Sequence, residues 1–189
     1  MKQHLFPYIL IILLTSCSQP SQTEQELREA LNTTLKIDMF ETIQHHDSLI
    51  TMQQLREKYS HLSVVYMQDG CNPCYPKFVE WHQKMEEMDE VPGHTVLFVI
   101  QTEEYNSFLR KVRSLGETIN ERYYIIIDPD HQFFINNSLP NWIMNSSLLI
   151  NKENKIKMVG APWINEDMKR VPRLRDEFHV AIKKQIIYT

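Results

Sequence analysis

Three short apolar runs, at residues 63–67, 95–100 and 123–127, constrain this chain more than any other feature. Each is dense in Val, Ile, Leu, Tyr and Phe, and the second is apolar almost throughout. Strands of this kind are buried on both faces, as the central strands of a parallel sheet are. The segments between them are helical. Phe78, Trp81, Met85 and Met88 recur at spacings of three and four after the first run, until Pro92-Gly93 end the pattern. Tyr105, Phe108, Leu109, Val112 and Leu115 do the same over residues 103–115. Strands alternating with helices demand an α/β sheet with helices on both faces.

The flanks extend this frame. Residues 24–35 read as a helix with Leu27, Ala30, Leu31 and Leu35 on one face, and 52–59 as a short helix. Residues 36–50 carry no legible period. Asp128-Pro129 stop the third run, and 131–137 read as a helical turn. Residues 147–150 and 155–159 read as two strands joined by a turn at 151–154, an antiparallel hairpin that adds an edge to the sheet. A last helix is expected over 173–187, with Leu174, Phe178, Ala181, Ile182 and Ile186 inward. From residue 63 the order is βαβαβ(α)ββα.

The N-terminus has a different character. Lys2 precedes an almost wholly apolar stretch through Leu14, of signal-peptide length and too short for the ~20 apolar residues of a membrane span. It ends in Leu14-Thr15-Ser16-Cys17, which resembles the lipobox of bacterial lipoproteins. The resemblance implies that residues 1–16 are an export signal, that Cys17 becomes a lipidated N-terminus, and that 17–23 form a tether. The alternative is an ordinary cleaved signal with a chance cysteine. One domain is then expected over 24–189, with its core at about 50–187. The reading places the protein on the periplasmic side of a Gram-negative envelope. Ser18, which is not the aspartate associated with inner-membrane retention, points to the outer membrane. The formal net charge of −4 disfavours nucleic acid as a partner.

Cysteine usage carries the chemistry. There are three cysteines, and lipidation of Cys17 leaves Cys71 and Cys74 in a disulfide-permissive compartment. Stabilising disulfides usually close long loops, and Cys-x-x-Cys closes almost none, so the pair points to reactivity. Cys71 follows a central strand and opens a helix, where unpaired N–H groups and the helix dipole stabilise a thiolate. Thiols at such sites ionise at ~3.5–7.5 in place of ~8.5. Pro73 suits a first helical turn, and Cys74 is expected about one turn further in. In this reading Cys71 attacks a substrate disulfide and Cys74 resolves the mixed disulfide. Half of a zinc site, an inert disulfide, and a copper site shared with a distant histidine such as His131 are the competing readings.

The segment Ser63-Val-Val-Tyr-Met-Gln-Asp-Gly-Cys-Asn-Pro-Cys74, followed by a helix, resembles the active site of the thioredoxin superfamily, in particular its exported, membrane-tethered thioredoxin-like (redoxin) lipoproteins. The resemblance covers about residues 50–187, and the 147–160 segment matches the late hairpin of that family. It implies a thioredoxin-like fold: a central mixed sheet, helices on both faces and a late antiparallel hairpin. It also implies a membrane-tethered thiol–disulfide oxidoreductase with Cys71 as nucleophile and Cys74 as resolver. No organic cofactor and no metal are implied. The expected partners are exported proteins bearing thiols or disulfides, and a protein that exchanges electrons with the pair. Gly70, Pro73, Met144 and Asn145 are the candidate substrate-loop residues.

Three positions depart from the pattern. Gly70 stands where the family usually has tryptophan, Met144-Asn145 where a cis-proline usually precedes the hairpin, and Val65 where many members bury an acid. These departures sustain a second reading, a thioredoxin-fold binding or adaptor lipoprotein with a structural disulfide. Asp69 could accept a proton from Cys74, but reads first as a solvated turn former. Tyr75-Pro76 could shape the rim of the pair. Trp81, Met85 and Met88 read as core, Asp128-Pro129-Asp130-His131 as a turn, and Trp163 as loop or packing. His45-His46 fall in the stretch without a pattern.

Overall fold

The structure is a computed structural model, and it describes residues 20–87, 92–115 and 123–161. Helix α1 (Gln22–Ala30) is followed by a hairpin of β1 (Ile43–His45) and β2 (Ser48–Ile50), then α2 (Met52–Lys58) and β3 (His61–Gln68). Next come α3 (Cys74–Glu87), β4 (His94–Gln101), α4 (Tyr105–Arg113) and β5 (Tyr124–Ile127). Two short helices, α5 (Gln132–Asn137) and α6 (Asn141–Met144), lead to β6 (Ser147–Ile150) and β7 (Ile156–Val159).

The seven strands form one sheet in the order β2-β1-β5-β4-β3-β6-β7. β3, β4 and β5 are parallel, with His61 opposite His94 and Gln68 opposite Gln101. β6 returns antiparallel to β3, with Ser147 opposite Val65, and β7 continues the hairpin. The three apolar runs are therefore the three central parallel strands.

Alternation along each strand divides the core in two. Val64, Tyr66, Leu97, Val99 and Ile126 face a layer built from α1, α2, α5 and α6, including Ala30, Leu55, Phe133 and Ile143. Val65, Met67, Val96, Phe98 and Ile100 face α3 and α4, where Phe78, Trp81 and Phe108 are fully buried. Each such aromatic contributes about 1.5–3 kcal/mol of burial.

Several boundaries differ from the sequence reading. α1 begins at Gln22, inside the segment expected to be tether, because the Ser21 hydroxyl accepts the Glu24 N–H (3.2 Å). It ends at Ala30 and not at 35. Asn32 turns the chain with φ +68°, and the backbone beyond finds partners in the late hairpin: the N–H groups of Asn32 and Leu35 donate to Ile156 and Asn154. The β1–β2 hairpin in the unread stretch has three-residue strands turned at His46 (φ +53°), too short to show a period. The packed core reaches back through Ile43, Ile37 and Leu35 to Ala30. α2 was legible to the residue at its start, where Thr51 and Gln54 form a reciprocal cap. The export segment, Cys17, Met88, Trp163 and the helix expected over 173–187 lie outside the described residues.

Candidate active site

The site grows from the end of β3. The Asp69 N–H donates to the Gln101 carbonyl (2.9 Å), extending the β3–β4 ladder by one rung before the chain turns. Gly70 makes the turn at φ +85°. A side chain there would have open space but a strained backbone. The Cys71 N–H then reaches back to the Gln68 carbonyl (3.3 Å), and the Cys74 N–H to the Cys71 carbonyl (2.9 Å).

Cys71 and Cys74 are joined as a disulfide, with Cα atoms 5.3 Å apart. Cys74 is the first residue of α3 and not one turn inside it, which corrects the sequence reading. The bond from the Cys74 N–H to the Cys71 carbonyl closes a turn over Asn72-Pro73, and the helix opens on the Pro73 carbonyl, which accepts the Lys77 N–H (3.3 Å). Both sulfurs thus stand at the positive end of a 14-residue helix. Cys71 is half-buried in the turn, while Cys74 packs against the α3–α4 core.

Asp69 is the unexpected member. It is not a solvated turn former, since its side chain is only 16% exposed. One carboxylate oxygen accepts the Tyr75 hydroxyl (2.6 Å), the Gly70 N–H (2.9 Å) and the Lys111 ammonium (2.7 Å). The other accepts the hydroxyls of Thr102 and Ser107, each at 3.2 Å. Partial burial pushes the carboxyl up, but Lys111, Tyr75 and Thr102 outweigh it and hold the group down at about 2. A carboxylate so saturated is a poor proton acceptor for Cys74. It ties the turn carrying Cys71 to the start of α4. Tyr75 completes the tie, because its oxygen also accepts the Gly70 N–H (2.6 Å). A cleft of about 380 Å³ opens beside Gly70, lined in part by Thr102, Ser107 and Arg110.

On the other side lies the loop between α6 and β6. The Lys77 ammonium donates to the Asn145 carbonyl (2.7 Å), joining α3 to that loop. Among the described residues every peptide bond is trans. Met144 is 1% exposed in the opposite core layer and presents almost no surface to a substrate. Gly70 and Pro73 flank the cysteines in the turn, Asn145 is linked to α3 through Lys77, and Met144 packs in the opposite core layer. Val65 is fully buried beneath α3, leaving an apolar floor where an acid could have stood. Trp81 is core, and Met85 is partly buried against the same cluster.

Two other clusters stand apart. His131 approaches Tyr66 on the opposite sheet face (Nδ1 to hydroxyl 3.5 Å), and Asp128 accepts the N–H groups of Gln132 and Phe133 at the start of α5. His45 stacks on Tyr124 and meets the Tyr123 carbonyl at 3.1 Å. Sequence reasoning missed Lys77, Thr102, Ser107 and Lys111. Lys77 had a signal, lying three residues after Cys74 and so on the same helix flank. The other three follow the carboxyl end of β4, where parallel sheets place their functional groups.

No protein-family model matches the chain, and no curated protein matches its sequence. Solved structures do match. A protein of Chlorobium tepidum named as a thiol:disulfide interchange protein DsbE is 14% identical, with 74% of this chain and 93% of that one covered and a TM-score of 0.50. Thioredoxin from Wuchereria bancrofti is 10% identical, covers 65% and 83%, and has a TM-score of 0.50. A yeast mitochondrial 1-Cys peroxiredoxin is 13% identical, covers 81% and 78%, and reaches 0.55. The chain therefore has the thioredoxin-like fold, a mixed central sheet with helices on both faces.

Proposed function

We propose that this protein is a membrane-tethered thiol–disulfide oxidoreductase that acts on exported proteins through Cys71 and Cys74. The observation that carries the proposal is the bonded pair at the junction of a central strand and a helix N-terminus, with Cys71 the less packed of the two. In the reducing direction the Cys71 thiolate attacks one sulfur of a substrate disulfide. That S–S bond breaks, and the leaving thiolate takes a proton from water. Cys74 gives up its proton and attacks the Cys71 sulfur, releasing the second substrate thiol and leaving the Cys71–Cys74 disulfide. Two electrons pass to the substrate, and a partner dithiol must return them. Oxidation of a substrate dithiol is the same sequence reversed.

Tethering rests on the sequence of residues 1–17. The lipid on Cys17 is the attachment this reading implies, and among the described residues no helix is long and apolar enough to cross a membrane. The periplasmic face of the outer membrane is the place this reading gives it.

The test uses the full chain in detergent with a disulfide-bearing protein as substrate. Turnover should vanish in Cys71→Ala, while Cys74→Ala should accumulate a mixed disulfide on Cys71. Full turnover in Cys71→Ala refutes the assignment. The adaptor reading is favoured by the apolar Val65 floor and by the commitment of Asp69 to five donors. It predicts partner binding that survives loss of both cysteines.

A further inference from the structure

The bond between Lys77 and Asn145 joins the two halves of the site, and no cysteine chemistry requires it. α6 has only four residues, and Asn145 caps its C-terminal end. Its last carbonyls lack intrahelical partners and carry partial negative charge. The Lys77 ammonium satisfies one of them at 2.7 Å, from the first turn of the helix that starts with Cys74. Two residues beyond Asn145, β6 begins and pairs with β3, with Ser147 opposite Val65. The contact therefore closes a ring: β3, the Cys71 turn, α3, Lys77, the Asn145 loop, β6 and back to β3.

The alternative for each partner is poor. Burial pushes the Lys77 ammonium down, and Glu80 on the same helix, the charged group that acts on it, offsets this in part. Glu80 lies three residues further along and leaves the loop-side contact to the ammonium. Cys74 and Lys77 are also three apart, so their side chains neighbour each other on the helix flank. A cation there favours the thiolate over the disulfide, whichever cysteine holds the charge.

We infer that Lys77 is a positioning residue for the redox pair: it latches the loop that begins at Asn145 onto the first turn of α3 and lends positive charge to the reduced cysteines. This rests on the oxidoreductase reading. The latch acts in two ways that can be separated. As a donor it fixes the distance between the loop and Cys71, which governs how a substrate is seated. As a charge it raises the reduction potential of the pair. Arginine supplies both, and methionine fills the space with neither.

The experiment compares the full chain with Lys77→Met and Lys77→Arg. Each is equilibrated in glutathione buffers, its thiols are counted by alkylation, and the rate of alkylation is followed against pH. Lys77→Met should shift the equilibrium about threefold toward the disulfide, close to 15 mV more reducing. Its alkylation midpoint should move to higher pH, and KM for a disulfide-bearing protein should rise more than kcat falls. Lys77→Arg should restore all three. The inference is overturned if Lys77→Met matches the unaltered chain in potential, pH profile and KM, or if Lys77→Arg is as impaired as Lys77→Met. Those results leave the oxidoreductase reading standing. An unaltered chain without any exchange activity overturns both.

Discussion

Replacing Asp69 with asparagine tests whether the carboxylate is the tie that holds the cysteine turn. The group is held at about 2, against an ordinary 3.8. By linkage that displacement is worth roughly 2.4 kcal/mol, and solvent screening at its open edge trims it to about 1–2 kcal/mol. The sign follows from the direction. The folded state binds the proton less readily than the unfolded state, so the stabilisation is present above pH 3.8 and disappears as pH falls through about 2. Asparagine keeps the shape and an acceptor for Tyr75 but loses the ion pair with Lys111 (2.7 Å). Urea unfolding, followed by the fluorescence of buried Trp81, gives the free energy at each pH. At neutral pH Asp69→Asn should be less stable by about 1–2 kcal/mol, and the gap should close between pH 3.8 and about 2. A gap that stays constant over that window, or no gap at neutral pH, refutes the reasoning.

Other positions give sharper or broader effects. Gly70→Ala places a side chain at φ +85° and should cost about 1–3 kcal/mol in urea unfolding, although the space around it is open. His94 is half-buried at the start of β4, and desolvation together with the neighbouring His61 pushes its imidazole down to about 4 from 6.5. The unfolded chain takes the proton first, so stability should fall as pH drops from 6.5 to about 4, and His94→Phe should flatten that slope in the same assay. Phe78 packs at a tilt against Phe98 and edge-to-face with Phe108 and Tyr123, one turn after Cys74, and Phe78→Ala should lose about 3–5 kcal/mol of unfolding free energy.

The parts of the fold that were legible in the sequence are those whose residues answer to one constraint. Residues 64–67 and 96–100 must be apolar on both sides, and they stand out from the text alone. The start of α2 was legible too, and the cap between Thr51 and Gln54 that the structure shows there needs only local atoms. The β1–β2 hairpin and α6 were not legible, because three or four residues span too little beyond one period for a pattern to repeat. The true end of α1 depended on Asn154 and Ile156, more than a hundred residues away. At the site the cysteines were evident from spacing, but the helix starts at Cys74 because residues 71–74 close a turn first, which spacing alone does not reveal. Asp69 looked like any turn aspartate. Its five donors come from two stretches of chain, 70–75 and 102–111, and only the folded sheet brings the second to it.

The account stands or falls on whether Cys71 and Cys74 form an exchangeable redox pair. The direct measurement is a titration of the full chain in glutathione buffers, with free thiols alkylated and counted by mass spectrometry and Cys71 reactivity followed against pH. The account predicts a midpoint between about −270 and −120 mV and thiolate reactivity at Cys71 below pH ~7. A disulfide that resists glutathione throughout, or a Cys71 that reacts as an ordinary thiol near pH ~8.5, contradicts it and leaves a binding module with a structural crosslink.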